Sequence, residues 1–151
     1  MIDFQNLELV KYTDRHRAQL LDVWEKSVLA THDFLSPEDF QSIKAFVQTI
    51  DFNALDVYCL LQSEEVIGFL GVAEHKVEML FLSPDHIGKG FGRKMMDFAV
   101  NELKADLVDV NEHNSQAVDF YKKYGFETYE RTDQDDQGKD YPLLRMKLAN
   151  K

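Results

Sequence analysis

Three glycines within five residues, Gly88-Lys89-Gly90-Phe91-Gly92, restrict the fold of this chain more than any other segment. Before them, Val77-Glu78-Met79-Leu80-Phe81-Leu82 reads as a strand that ends at Ser83-Pro84-Asp85, because Pro84 cannot donate to a sheet ladder. After them, Phe91, Met95, Ala99 and Leu103 recur at four-residue steps, the spacing of a helix with one buried face. A glycine-rich junction of strand and helix lets backbone N–H groups approach an anion closely, and the helix N-terminus adds a partial positive charge. Lys89, Arg93 and Lys94 stand beside the glycines in a chain with 27 acidic and 17 basic residues and a formal charge of −10. A phosphate-bearing ligand is the natural inference. The spacing narrows its class, since no glycine here precedes the Gly-Lys-Ser/Thr ending of a Walker A loop. The G-x-G-x-x-G dinucleotide pattern fails too, meeting Arg93 from Gly88 and Met95 from Gly90. Taken alone, the loop also reads as a flexible turn.

The segments around the loop alternate between strand and helix. Residues 7–12 repeat at period two, as a half-buried strand does. Thr13 is a cap for a helix with Asp14 in its first turn and Ala18, Leu21, Trp24, Val28 and Leu29 on its apolar face. Ser36, Pro37, Glu38 and Asp39 are the start signals of a second helix that runs to about residue 49. Strands over 55–62 and 66–74 follow, joined by Ser63-Glu64-Glu65. Beyond the glycine-loop helix comes a short strand over 107–110. Asn114 then caps a helix whose inward face is Ala117, Phe120, Tyr121 and Tyr124, with Gly125 at its end. Two strands, about 127–131 and 143–148, flank the polar loop 132–141. The 151 residues are expected to form one compact α/β or α+β domain without repeats or linkers.

Composition removes several functional classes. The net negative charge argues against bare electrostatic binding to nucleic acid or to an anionic membrane. A single cysteine, Cys59, excludes an intramolecular disulfide and a cysteine-rich zinc site, and the five histidines lack metal-ligand spacing such as H-E-x-x-H. Residues 1–6 show no basic segment leading into an apolar one, and no stretch approaches the roughly 18 apolar residues of a membrane span. A cytoplasmic protein without a metal is expected.

A second motif adds a family. Asn114-Ser115-Gln116-Ala117-Val118-Asp119-Phe120-Tyr121, followed by Tyr124-Gly125-Phe126, resembles the N-x-x-A-x-x-F-Y-x-x-x-G-F signature of the GCN5-related N-acetyltransferases (GNAT). The glycine loop matches that family's Q/R-x-x-G-x-G/A loop at Gly90 and Gly92 and departs from it at Ile87, which removes a side chain but no backbone amide. The order of elements fits as well, so the resemblance covers nearly the whole chain. Ala30-Thr31-His32-Asp33-Phe34-Leu35-Ser36, Val110-Asn111-Glu112 and Asp135-Asp136-Gln137-Gly138-Lys139-Asp140-Tyr141-Pro142-Leu143-Leu144 further resemble the bacterial YjaB-type subgroup.

The resemblance implies one GNAT-like domain without appended modules. Its sheet would be mixed and mostly antiparallel, splayed between the fourth and fifth strands, with helices on both faces. It implies acetyl-CoA as co-substrate in the splay, with backbone groups of Leu80 and Leu82 pairing with the pantetheine. The pyrophosphate would lie on the amides of Gly88, Lys89, Gly90, Phe91, Gly92 and Arg93, and Asn114 and Ala117 would border the pantetheine arm. The chemistry implied is attack of a neutral amine on the thioester without a covalent acyl-enzyme.

Tyr121 matches the family's tyrosine that faces the sulfur, where a phenol can donate to or protonate a developing thiolate. Core packing beside Phe120 and Tyr124 would explain it as well. For the base, Glu78 and Asp109 project from the two strands that line the cleft, and Glu112 and His113 sit just beyond. Each could equally be a solvated strand residue. His32 and Asp33 lie where the family receives substrate, and Tyr141 can add a hydroxyl or an aromatic face. Between Glu127 and Tyr141 six acids (Glu127, Glu130, Asp133, Asp135, Asp136 and Asp140) face only Arg131 and Lys139, a rim that would attract a cationic amine or simply aid solubility.

The expected function is transfer of acetyl from acetyl-CoA to a primary amine, either a small cationic molecule or a protein lysine or N-terminus. A non-catalytic acyl-CoA-binding module is the alternative, and a nucleotide-binding protein unrelated to CoA a more distant one. Neither nucleic acid nor membrane is an expected partner, and the chain leaves monomer and homodimer open.

Overall fold

Alternating apolar and polar residues in the first half of the chain produce an antiparallel meander, and the second half adds a parallel strand and a closing hairpin. The computed structural model describes residues 7–136 and 138–149. Residues 1–6, read above as lacking a leader, lie outside the described residues, as does Gln137 of the hairpin loop. The strands are β1 (Leu7–Lys11), β2 (Asp56–Gln62), β3 (Glu65–Ala73), β4 (Lys76–Leu82), β5 (Leu107–Asn111), β6 (Phe126–Thr132) and β7 (Leu143–Leu148). They form one sheet in the order β1-β2-β3-β4-β5-β7-β6, in which only β4 and β5 run parallel. The helices are α1 (Arg17–Thr31), α2 (Pro37–Val47), α3 (Phe91–Asn101) and α4 (Ser115–Tyr124).

Each connection has a local cause. The β2–β3 and β3–β4 hairpins turn on Ser63-Glu64 and Glu74-His75, all with positive φ, as the primed turns that match strand twist require. Ser36 accepts a hydrogen bond from the Asp39 N–H at 3.1 Å, and Asn114 accepts one from the Ala117 N–H at 3.3 Å, so both helices start where their caps predict.

Helix α1 differs from expectation in rotation. Leu20, Val23, Trp24, Ser27 and Val28 are its buried residues, while Leu29 is 61% exposed. A short turn precedes the helix. Asp14–His16 form a 3-10 turn in which Nδ1 of buried His16 accepts the Thr13 N–H at 3.1 Å.

Apolar residues cover both faces of the sheet. α3 and α4 enclose a core containing Leu70, Phe91, Met95, Met96, Val108 and Met146. α1 and α2 cover a second core containing Leu20, Trp24, Phe52, Val57, Cys59 and Phe69. The Cys59 thiol is fully buried, and burial pushes its pKa up to about 12.

The β4–β5 ladder is short. It holds only Lys76↔Leu107 and Val77↔Val108, and beyond them the strands part. This is the splay expected between the fourth and fifth strands. On its other side β4 stays paired with β3 through Leu82, where Gly68 permits a close approach. A Cβ at Gly68 would lie 2.9 Å from the Phe81 carbonyl oxygen. Gly68→Ala is expected to lower stability by about 1–3 kcal/mol, the usual cost of overpacking against backbone. Thermal denaturation measures it, and an unchanged midpoint would show that β4 yields at no cost.

Candidate active site

The separation of β4 from β5 leaves Glu78–Leu82 without a strand partner on its β5 side. A cavity of about 190 Å³ lies in that gap, with Leu80, Leu82, Asn114, Ala117 and Tyr121 in its wall and His32 opposite. A connected hollow continues along the strands past Glu78 and Asp109, sharing His32, Leu80, Asn114 and Tyr121. Leu80, Leu82, Asn114, Ala117, Tyr121 and His32 therefore line one cavity.

The glycine loop stands at one end of the cavity. Gly90 caps α3 with φ +83°, Gly88 has φ +86°, and a Cβ at either would meet nothing within 4 Å. The backbone there is open to an incoming group. Gly92 and Ile87 line the cavity itself, and Ile87 is 46% exposed where a glutamine or arginine was the expected pattern. Phe91 points its ring into the core, leaving only its backbone for a ligand. Arg93 stacks its guanidinium 5.1 Å from the Tyr124 ring centroid, so its side chain lies along α4.

Tyr121 sits at the inner end. Its ring meets Phe120 and Phe126 edge-on, at centroid distances of 5.4 and 5.8 Å, and only 7% of the residue is exposed. Its hydroxyl has no hydrogen-bond partner among the described residues. Burial raises the phenol's pKa, so the group stays neutral and keeps its proton. The ring packs in the core, and the residue also lines the cleft.

The two carboxylates differ. Glu78 is exposed along the cleft and makes no ion pair among the described residues. Asp109 is committed: Lys76 Nζ lies 2.5 Å and Arg145 Nη1 2.7 Å from its Oδ2, with 15% of the side chain exposed. That double pairing places it as a clamp across β4, β5 and β7, and it argues against the base role expected from the sequence.

The expected acceptor side divides as well. His32 ends α1 and faces the cavity, whereas exposed Asp33 lines a neighbouring hollow with Leu29, Leu35 and Phe40. Glu112 is taken up by Arg131 in a two-point contact of 2.7 and 3.0 Å, which lowers its pKa. The Tyr141 hydroxyl donates to Asp39, and Lys139 Nζ pairs with the same carboxylate at 2.9 Å, tying the β6–β7 loop to the start of α2. Both contacts hold the Asp39 carboxyl below its ordinary range. The acidic loop is partly neutralised from within, because Asp133 pairs with Arg131, and Asp136 and Glu130 with Arg145.

Ser27 and Thr31 escaped the sequence reading. They stand one turn apart on α1 and line the cavity beside His32. The available signal was two hydroxyl residues at i and i+4 on the helix face that Val23, Trp24 and Val28 make apolar.

Comparison with known proteins agrees with this geometry. A family model for the acetyltransferase (GNAT) domain matches residues 22–149. The peptidyl-lysine N-acetyltransferase YjaB of Escherichia coli (strain K12) is 37% identical over 128 residues, covering 85% of this chain and 87% of that protein. The solution structure of apo-form YjaB from Escherichia coli matches with a TM-score of 0.88 at 31% identity, covering 100% of both chains. The PaiA N-acetyltransferase of Thermoplasma acidophilum, solved in complex with coenzyme A, shares the fold at a TM-score of 0.66 and 20% identity, over 93% of this chain and 98% of that one.

The clamp assigned to Asp109 has a measurable consequence. Asp109→Asn leaves Lys76 and Arg145 without their shared counter-charge, and a loss of about 1–2 kcal/mol is expected for pairs that keep some solvent contact. Chemical denaturation reads this directly. A variant as stable as the parent would mean that the cations find other partners.

Proposed function

The chain belongs to the GNAT acetyltransferase family, and on that premise we propose that it moves an acetyl group from acetyl-CoA to the side-chain amine of a protein lysine by direct attack. One observation carries the reading. The interrupted β4–β5 ladder joins an unpaired strand edge, a glycine-capped helix and a buried phenol in a single cleft.

The residues present fit acetyl-CoA. Amides from Gly88 to Arg93 surround the N-terminus of α3, where backbone donors and the helix dipole suit a pyrophosphate, and no side-chain Cβ blocks them at Gly88 or Gly90. The free edge of β4 at Leu80 and Leu82 offers backbone groups to the amide-bearing pantetheine, which satisfies donors and acceptors that would otherwise need water. Asn114 and Ala117 close the opposite wall. When bound, acetyl-CoA supplies the thioester carbonyl and the thiol leaving group.

Tyr121 then acts on the leaving group. A neutral phenol stabilises sulfur as negative charge develops there, and a low-dielectric wall strengthens that hydrogen bond. Burial also makes the phenol a weaker acid, so donation to sulfur in the transition state is its main contribution and not outright ionisation. The lysine acceptor is supported by the 37% identity to YjaB, whose name specifies peptidyl-lysine. An open acceptor side with aromatic walls supports it too: the Phe34 ring lies 5.2 Å from His32, 5.7 Å from His113 and 6.0 Å from Tyr141. Such faces suit an alkylamine stem carrying a cationic end.

Tyr121→Phe is expected to lower kcat about 10²-fold, the scale of losing one donor aimed at developing charge, with acetyl-CoA affinity changed by less than about threefold. Thiol release measured with lysine peptides, polyamines and aminoglycosides gives both the rate and the acceptor class. Preference for a polyamine or an aminoglycoside over every peptide would displace the lysine assignment. Unchanged turnover in the variant would remove Tyr121 from the chemistry.

A further inference from the structure

We propose that His32, held in one tautomer by Thr31 and Ser27 at the end of α1, is the general base that takes the proton from the acceptor amine. The proposal rests on the acetyl-transfer reading and adds the proton acceptor that the reading leaves unassigned.

The tautomer follows from counting protons. Thr31 Oγ1 lies 2.8 Å from the Ser27 carbonyl oxygen and 2.8 Å from His32 Nδ1. A carbonyl only accepts, so the single hydroxyl proton of Thr31 is given to Ser27. The second contact is then a hydrogen bond only if Nδ1–H donates to the hydroxyl oxygen. Nε2 is left with the lone pair. A base needs this arrangement, in which one ring nitrogen is fixed by a hydrogen bond and the other is free to accept.

The free nitrogen also has access. His32 is shared by the cofactor cavity, by the hollow along Glu78 and Asp109, and by the apolar hollow beside Asp33. Nε2 makes no hydrogen bond among the described residues, yet it is not sealed, because Nδ1 of His86 is the one buried side-chain polar atom found there without a partner. The ring is held by Phe34 at a centroid distance of 5.2 Å. It therefore stands between the thioester side of the cleft and the acceptor side.

Burial lowers the His32 pKa, opposed by the smaller influence of Asp33, so the imidazole is neutral near pH 7. The groups that face it are Asp33 beside it, Glu78 on β4, Asp109 on β5 and Tyr121 on α4, with His113 and Tyr141 beyond the Phe34 ring. Asp109 is neutralised by Lys76 and Arg145, and Tyr121 carries no charge. Glu78 is the competing acceptor in the same hollow.

The transfer balances in protons and electrons. Nε2 takes one proton from the lysine ammonium. The freed lone pair forms the C–N bond, and the C–S bond breaks with its electron pair going to sulfur. Of the two protons then left on nitrogen, one ends on sulfur, to which the Tyr121 hydroxyl donates a hydrogen bond as the thiolate forms, and the other stays on the amide, while His32 returns its own proton to solvent.

The test follows acetylation of a lysine peptide across pH by the wild-type protein, His32→Gln, His32→Ala and Glu78→Gln, with acetyl-CoA binding by calorimetry as the check on folding. For the wild type, kcat is expected to rise with pH through a value below the ordinary histidine pKa and then level off, since the neutral ring is the active form. His32→Gln is expected to bind acetyl-CoA normally, to lose about 10²-fold or more in kcat, and to lack that limb. Added imidazole is expected to restore part of the rate of His32→Ala. Wild-type activity in His32→Gln, or loss of the limb in Glu78→Gln instead, overturns the assignment alone. A wild-type protein that acetylates no lysine peptide overturns the acetyl-transfer reading together with it.

Discussion

The parallel pairing of β4 with β5 stops after two residue pairs, and the rest of the molecule is arranged around that interruption. An open strand edge inside a fold leaves backbone donors and acceptors that need water or a ligand to satisfy them. Such an opening must be held against closure. At its base Asp109 ties β4 to β7 through Lys76 and Arg145, fixing the point from which the strands diverge. On the far side Gly68 brings β3 close enough to keep β4 paired along its length. The sheet can therefore break on one side of β4 because it is continuous on the other.

The two cores then place different chemistry on the two sides of the break. α3 and α4 pack with the core that surrounds Met95 and Val108, and they bring the glycine loop, Asn114 and Tyr121 to one wall. α1 and α2 pack over Trp24 and Phe52, and the end of α1 brings His32 to the other. The β6–β7 loop is fastened to α2 by Lys139 and Tyr141 on Asp39. Charge follows the same division. The basic glycine loop stays open, whereas much of the acid in the β6–β7 hairpin is answered by Arg131 and Arg145. Long-range attraction of a cation by that hairpin is weaker than its composition suggests.

Features carried by local sequence were legible: Ser36 and Asn114 as caps, Pro84 as a strand end, Gly90 at the start of α3. The motif around Tyr121 reached the cleft wall for the same reason, since its residues are close in sequence as well as in space. What depends on partners distant in sequence was not legible. Asp109 looks like a candidate base until Lys76 and Arg145 are seen on it, and nothing in either segment announces that pairing. Glu112 resembles a free acid until Arg131 occupies it. Helix α1 buries Ser27 where simple periodicity favours the larger Leu29, because its packing against the distant strands decides which face is covered.

On the mechanism proposed above, one physical cause sets both ends of the proton path. Desolvation disfavours whichever form of a group is charged, so it lowers the pKa of an imidazole and raises that of a phenol. His32 and Tyr121 line the same cavity and both are shifted chiefly by burial, in these opposite directions. Near neutral pH the first is held without its extra proton and the second with its own, which are the states an acceptor and a donor need. No charged neighbour has to be tuned for either. The fully paired Asp109 can then serve the splay alone, and the cleft stays apolar enough for a neutral phenol to stabilise charge forming on sulfur.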